Sequence, residues 1–184
     1  MILVVAATDF ELAAVEGAET LRCGIGPVEA ALATAAALAE HRPGGVLHIG
    51  LAGATRLSPG EVVIGSEAVY CDIIDAGSRI SRVERASPPE ALVQAAQRAL
   101  PDAHVLPIAT CGRVGGGEGW DVEAMEGFSV LRAAELAGVP AIEVRVISND
   151  PYQADRGLWR VEDALARLGQ IVPPLLEELA QCVR

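Results

Sequence analysis

Short aliphatic runs alternate with alanine-rich stretches along the whole chain, and this alternation most restricts the fold. Met1–Ala7, Glu19–Cys23, Val46–Ile49, Glu61–Ile74, His104–Ala109 and Ala141–Ile147 read as strands, with Glu61–Ile74 as one strand or two. Val28–His41, Pro89–Leu100, Val122–Ala137 and most of the chain after Gly157 read as helices. Local signals agree. Thr8-Asp9 suits a helix cap with Glu11 in the first turn, Pro27 suits a first helical turn, and Gly138-Val139-Pro140 stops a helix. Pro173-Pro174 is expected to interrupt the last helix, and Ser78–Ser87 and Gly112–Gly119 to be loops. The pattern predicts an α/β fold over residues 1–184, a single-domain mixed sheet flanked by helices.

Composition narrows the chemistry. Hydrophobic residues make up 51% of the chain but aromatics only 3%, so the core is built from Ala, Val, Leu and Ile. Lysine is absent, and all 14 cations are arginine. Schiff-base chemistry and a Walker phosphate loop are therefore excluded. A net charge of −11 opposes nucleic acid or an anionic membrane as partner. Cys23, Cys71, Cys111 and Cys182 are widely spaced without a CxxC pair, which fits free thiols in a reducing compartment. No run approaches the ~20 apolar residues of a membrane span, and Met1–Ala7 lacks a basic leader. The expectation is a cytoplasmic protein.

In sheets of this kind ligands bind beyond the carboxyl ends of strands. The residues to inspect are Glu11, Gly24–Gly26, Gly50–Gly53, Thr110–Val114 and Ser148–Asp150. Gly24-Ile25-Gly26 is a tight turn and not a dinucleotide fingerprint, because Glu29 occupies the third glycine position. Gly115-Gly116-Gly117 suits either an anion cradle or a flexible connection. Glu123 and Glu126 fall in a predicted helix, where acids are ordinarily solvated. Arg145 interrupts an apolar strand, so it requires an acidic partner or a ligand. His41, His48 and His104 read as structural, and no Ser-His-Asp set emerges.

Five segments in order resemble the nucleoside phosphorylase and nucleosidase superfamily. They are Cys23–Thr34, the glycine turn and its helix; Ile49–Gly53, the second glycine motif; Pro59–Ile64; Val122–Gly127, similar to the ribose-binding helix; and Arg145–Asn149, similar to the base-binding strand end. Ala6–Glu11 and Ile147-Ser148-Asn149, followed by Asp155-Arg156 and Trp159, look most like the futalosine hydrolase family of the alternative menaquinone pathway. The methylthioadenosine nucleosidases are also similar but carry aspartate in place of Asn149.

The resemblance implies hydrolysis of a purine nucleoside without metal or organic cofactor. Glu126 is implied to bind the ribose hydroxyls, with Met125 beside the sugar. Glu11 is implied to deprotonate the attacking water, and Asn149 to bind hypoxanthine at N7 or O6. Asp150 is a candidate proton source, and Arg145 is implied to hold the strand end or a site carboxylate. Leu51 and Gly53 belong to the implied substrate site, with Val114 or Phe128 against the base. Arg113, Arg56 and Arg79 are candidates for a substrate carboxylate. A phosphorylase, another purine nucleosidase and a non-catalytic nucleoside-binding protein remain as alternatives, and the family implies a homo-oligomer.

Overall fold

The computed structural model describes residues 1–13, 15–73 and 82–183. Strand β1 (Ile2–Ala6) is buried throughout, as an apolar run between two helical layers must be. Ile2, Val4 and Ala6 face one layer, and Leu3 and Val5 face the other. Helix α1 (Asp9–Leu12) follows, then β2 (Glu19–Arg22), α2 (Pro27–Glu40) and β3 (Gly45–Ala54). The next elements are β4 (Val62–Tyr70), β5 (Arg85–Ala86), α3 (Glu90–Ala99), β6 (His104–Thr110) and β7 (Val122–Ala124). Helix α4 (Gly127–Ala137), β8 (Ala141–Asn149) and α5 (Val161–Ala180) complete the order, with a 3-10 turn at Arg156–Leu158.

The predicted mixed α/β sheet is present, and part of it closes on itself. β3 pairs parallel with β8, β8 antiparallel with β4, β4 parallel with β6, β6 parallel with β7, and β7 antiparallel with β3. This circuit encloses small and branched side chains, among them Ala52, Val63, Ile108, Val122 and Ile147. β1 and β2 extend the sheet in parallel from β3. Helices α2 and α4 pack together over one face, and α3 and α5 over the other.

Three expectations change. Gly50–Gly53 is not a turn after a four-residue strand, because β3 continues through it to Ala54 and pairs with β8 and β7. Glycine persists there because neighbouring groups crowd the backbone. Val122–Ala124 is strand rather than helix, so Met125 and Glu126 form the junction before α4. Finally, α5 runs unbroken through Pro173-Pro174. An interior proline costs about 3 kcal/mol. Leu168, Ile171, Val172, Leu175 and Leu179 are all buried on that helix, and each contributes about 1.5–3 kcal/mol, so packing outweighs the loss. The expected Ser78–Ser87 loop lies partly outside the described residues, as does Arg79.

Candidate active site

The carboxyl ends of β1, β3 and β8 open on a cavity of about 210 Å³. Its lining includes Glu11, Gly53, Met125, Glu126, Arg145 and Asn149. Residues far apart in the chain thus meet where a sheet of this type binds ligands.

Glu11 is placed by a capping box. Its Oε2 accepts from the Thr8 amide (3.0 Å) and the Thr8 hydroxyl (2.8 Å), while Thr8 Oγ1 accepts from the Glu11 amide. Its Oε1 accepts from the Leu51 amide across the cavity floor (3.0 Å). Three donors fix the carboxylate, which still lines the cavity. Gly50 makes this approach possible, because a Cβ there would lie 2.7 Å from Glu11 Oε1 and 2.3 Å from Arg145 Nη1.

Beneath the floor lies a buried charge cluster. Arg145 Nε donates to Glu143 Oε1 (2.8 Å), Nη2 to Glu126 Oε2 (3.3 Å), and Nη1 to the Leu51 carbonyl (3.3 Å). Nη2 also meets His48 Nε2. His48 Nδ1 lies 3.0 Å from the Val5 carbonyl, so Nδ1 carries the proton and Nε2 accepts from Arg145. Burial first, and Arg145 second, push the His48 pKa well below its ordinary 6.5. Burial opposes charge on Arg145, but Glu143, Glu126 and Glu11 outweigh it and raise its pKa. Arg145 therefore stays cationic beside a neutral imidazole.

Glu126 receives a second donor from the first glycine turn, where the Gly26 amide donates to Oε1 at 3.0 Å. Gly26 has φ +93°, in the left-handed region that suits glycine. The turn thus presents a backbone donor to the Glu126 carboxylate, and the expected acidic partner of Arg145 is Glu126 together with Glu143.

Asn149 ends β8. The Ser148 hydroxyl has two acceptors in reach, Asn149 Oδ1 (2.8 Å) and the Ala52 carbonyl (3.3 Å); donation to the nearer Oδ1 leaves Nδ2 as the Asn149 side-chain donor. Gly53 leaves room beside it, since a Cβ there would come within 3.3 Å of Asn149 Nδ2.

Other expected residues separate. Leu51, Met125 and Val114 line the cavity. Asp150 does not. It is exposed, and its carboxylate accepts from the Tyr152 amide (2.9 Å), so it shapes a turn and is not placed as a proton source. Phe128 stacks instead on Tyr70, with ring centroids 5.3 Å apart. Arg56 pairs with Asp121, and Arg113 is exposed outside the lining. The glycine loop does cradle an anion, but an internal one: Glu123 accepts from the Gly115 (2.6 Å) and Gly117 (2.9 Å) amides. Reading Val122–Ala137 as helix concealed this role. Sequence reasoning also assigned no site role to Ser148 or Trp159, both of which line the cavity. The available signals were the place of Ser148 next to Asn149 and of Trp159 in the segment that follows it.

The family model of the phosphorylase superfamily matches residues 20–179. The chain belongs to that superfamily. Within it, the chain is 30% identical over 187 aligned residues to the futalosine hydrolase of Thermus thermophilus, covering 86% of this chain and 80% of that one. A match to the futalosine hydrolase of Streptomyces coelicolor is 47% identical over 57 residues, but spans only 29% of this chain and 24% of that protein. Two solved structures share the fold. Futalosine hydrolase of Helicobacter pylori superposes with a TM-score of 0.84 at 17% identity, covering 96% of this chain and 98% of that one. The methylthioadenosine/adenosylhomocysteine nucleosidase of Colwellia psychrerythraea, solved with adenine, gives 0.83 at 21%, covering 97% and 95%.

Proposed function

We propose that this chain hydrolyses the N-glycosidic bond of futalosine and releases hypoxanthine, a step of menaquinone synthesis. The observation that carries this reading is the convergence of Glu11, Glu126 and Asn149 on one cavity. Cleavage develops positive charge on the ribose and negative charge on the departing base. Glu126, held by Gly26 and Arg145, binds the ribose hydroxyls and favours the cationic sugar. Met125 packs beside the sugar. Glu11, fixed by three donors, takes a proton from the attacking water. The Asn149 amide donates to hypoxanthine N7 or O6, both acceptors. Its orientation by Ser148 favours a 6-oxopurine over a 6-aminopurine, whose exocyclic group is itself a donor.

Water is favoured over phosphate as nucleophile. Among the described residues, Arg145 is the arginine lining the cavity, and its donors are taken by Glu143, Glu126, His48 and Leu51. A phosphate at the ribose would meet Glu11, Glu123 and Glu126, with no lining cation among the described residues other than the carboxylate-paired Arg145. The substrate panel is futalosine, inosine and methylthioadenosine, followed by release of free base. Hypoxanthine release with little adenine supports the reading, and adenine release without hypoxanthine contradicts it.

The reaction needs no metal or organic cofactor, nucleic acid or membrane partner. Among the described residues no helix is long and apolar enough to cross a membrane. Four free cysteines support placement in the cytoplasm. A homo-oligomer is supported by α2 and the turn before it, where Ile25, Val28 and Leu32 are 62–68% exposed and Ile25 also lines the cavity.

A further inference from the structure

Futalosine carries a carboxylate on its 5′ substituent, and the cavity is a poor place for it. Among the described residues, Glu11, Glu123 and Glu126 line the cavity against one guanidinium, that of Arg145. An incoming carboxylate must therefore stay toward the mouth and find a cation there. Among the described arginines, Arg42, Arg113, Arg156 and Arg167 make no ion pair with a carboxylate. Arg42 precedes β3, at the opposite end of the sheet from the cavity. Arg167 lies on α5 and donates to Gln170 (3.0 Å).

Arg156, like Arg113, is exposed and outside the lining, but its guanidinium lies over a lining residue. Its guanidinium lies 5.2 Å from the centroid of the Trp159 ring, and Trp159 lines the cavity. The Trp159 indole nitrogen donates to the Gln153 carbonyl (3.3 Å), so the platform itself is tied to its loop. A guanidinium held over an indole face by cation–π attraction still has N–H donors to offer a carboxylate. Arg113 is the nearest rival, next to Val114 in the cavity lining. Its loop abuts the Arg156 loop, since a Cβ on Gly115 would lie 3.7 Å from the Tyr152 ring. Arg113 has no such platform.

We propose that Arg156, over the ring of the cavity-lining Trp159, forms a carboxylate-binding subsite beside the cavity that takes the acid group of the nucleoside's 5′ substituent. The proposal rests on the futalosine reading, and its test separates the two. The kcat/KM for hypoxanthine release is compared for futalosine and its carboxyl methyl ester, in the wild type, Arg156→Gln and Arg113→Gln. The wild type is expected to prefer the acid by roughly fivefold to tenfold, as for a partly solvated charge-assisted pair. Arg156→Gln is expected to bring that ratio to about one, and Arg113→Gln to retain most of it. Equal use of acid and ester by the wild type overturns the subsite alone. So does a preference that survives Arg156→Gln or disappears only in Arg113→Gln. Release of hypoxanthine from neither compound overturns the futalosine reading, and the subsite with it.

Discussion

Two cavity residues have separable roles. Glu11 accepts from three donors through both carboxylate oxygens and lines the cavity, so Glu11→Gln keeps the volume, gives up at least one of these hydrogen bonds and removes the carboxylate proposed as base. Turnover should fall at least ~100-fold while substrate affinity is retained. Single-turnover kinetics with a binding titration checks this, and near-normal turnover removes Glu11 from the mechanism. Asn149→Asp replaces the amide donor with a carboxyl beside the Ser148 hydroxyl. The ratio of inosine to adenosine cleavage should fall, and an unchanged ratio would show that Asn149 does not read the base. These two residues were legible as candidates because each lies near the carboxyl end of an apolar strand, Glu11 in the helix after β1 and Asn149 at the end of β8. Asp150 follows the same strand, yet its side chain turns back to the Tyr152 amide. Spacing alone does not distinguish those two directions.

At the level of elements, the junction between β7 and α4 is tightly constrained. Gly127 opens α4 directly over the buried Glu143, and a Cβ there would lie 2.1 Å from Glu143 Oε2. Glu143 is fully buried, and Oε2 has no hydrogen-bond partner. Burial raises its pKa, with Arg145 opposing. Gly127→Ala would gain helix propensity of about 1 kcal/mol on an open surface. Here it must displace Glu143 from Arg145, and overpacking of this kind costs about 1–3 kcal/mol. Urea unfolding should show a net loss for Gly127→Ala and partial recovery in the double variant Gly127→Ala/Glu143→Val. An unaltered midpoint in the single variant would show that the junction yields freely. Sequence pattern missed this element because Val122–Ala124 is only three residues long and its pairing partners are remote. Apolar spacing over so short a run fits helix and strand alike. The same limit hid the full length of β3, whose glycines look like a turn until Arg145 and Glu11 are seen to require the space.

For the whole molecule, stability is coupled to pH through the buried cluster. His48 has a folded pKa well below its ordinary 6.5. Below pH 6.5 the unfolded chain binds a proton that the folded chain does not, so this group's contribution is present above 6.5 and lost as pH falls. The loss approaches about 1.4 kcal/mol for each pH unit further down. Urea unfolding at pH 7.5 and 5.5 should show a component of this sign that is missing in His48→Gln. An equal pH response in both proteins would contradict the neutral, Arg145-bound imidazole. The alternation of strands and helices made the α/β architecture legible from the sequence. Closure of β3, β8, β4, β6 and β7 into a circuit was not, because it depends on pairings between distant strands.

In the proposed reaction this acidic, lysine-free chain uses carboxylates, an amide and water to release a base. The direct measurement is hypoxanthine release from futalosine in phosphate-free buffer, with reducing sugar counted alongside. The account predicts sustained turnover, one reducing sugar per hypoxanthine, and no acceleration by added phosphate. No release, or release that requires phosphate and yields a sugar 1-phosphate, would contradict it.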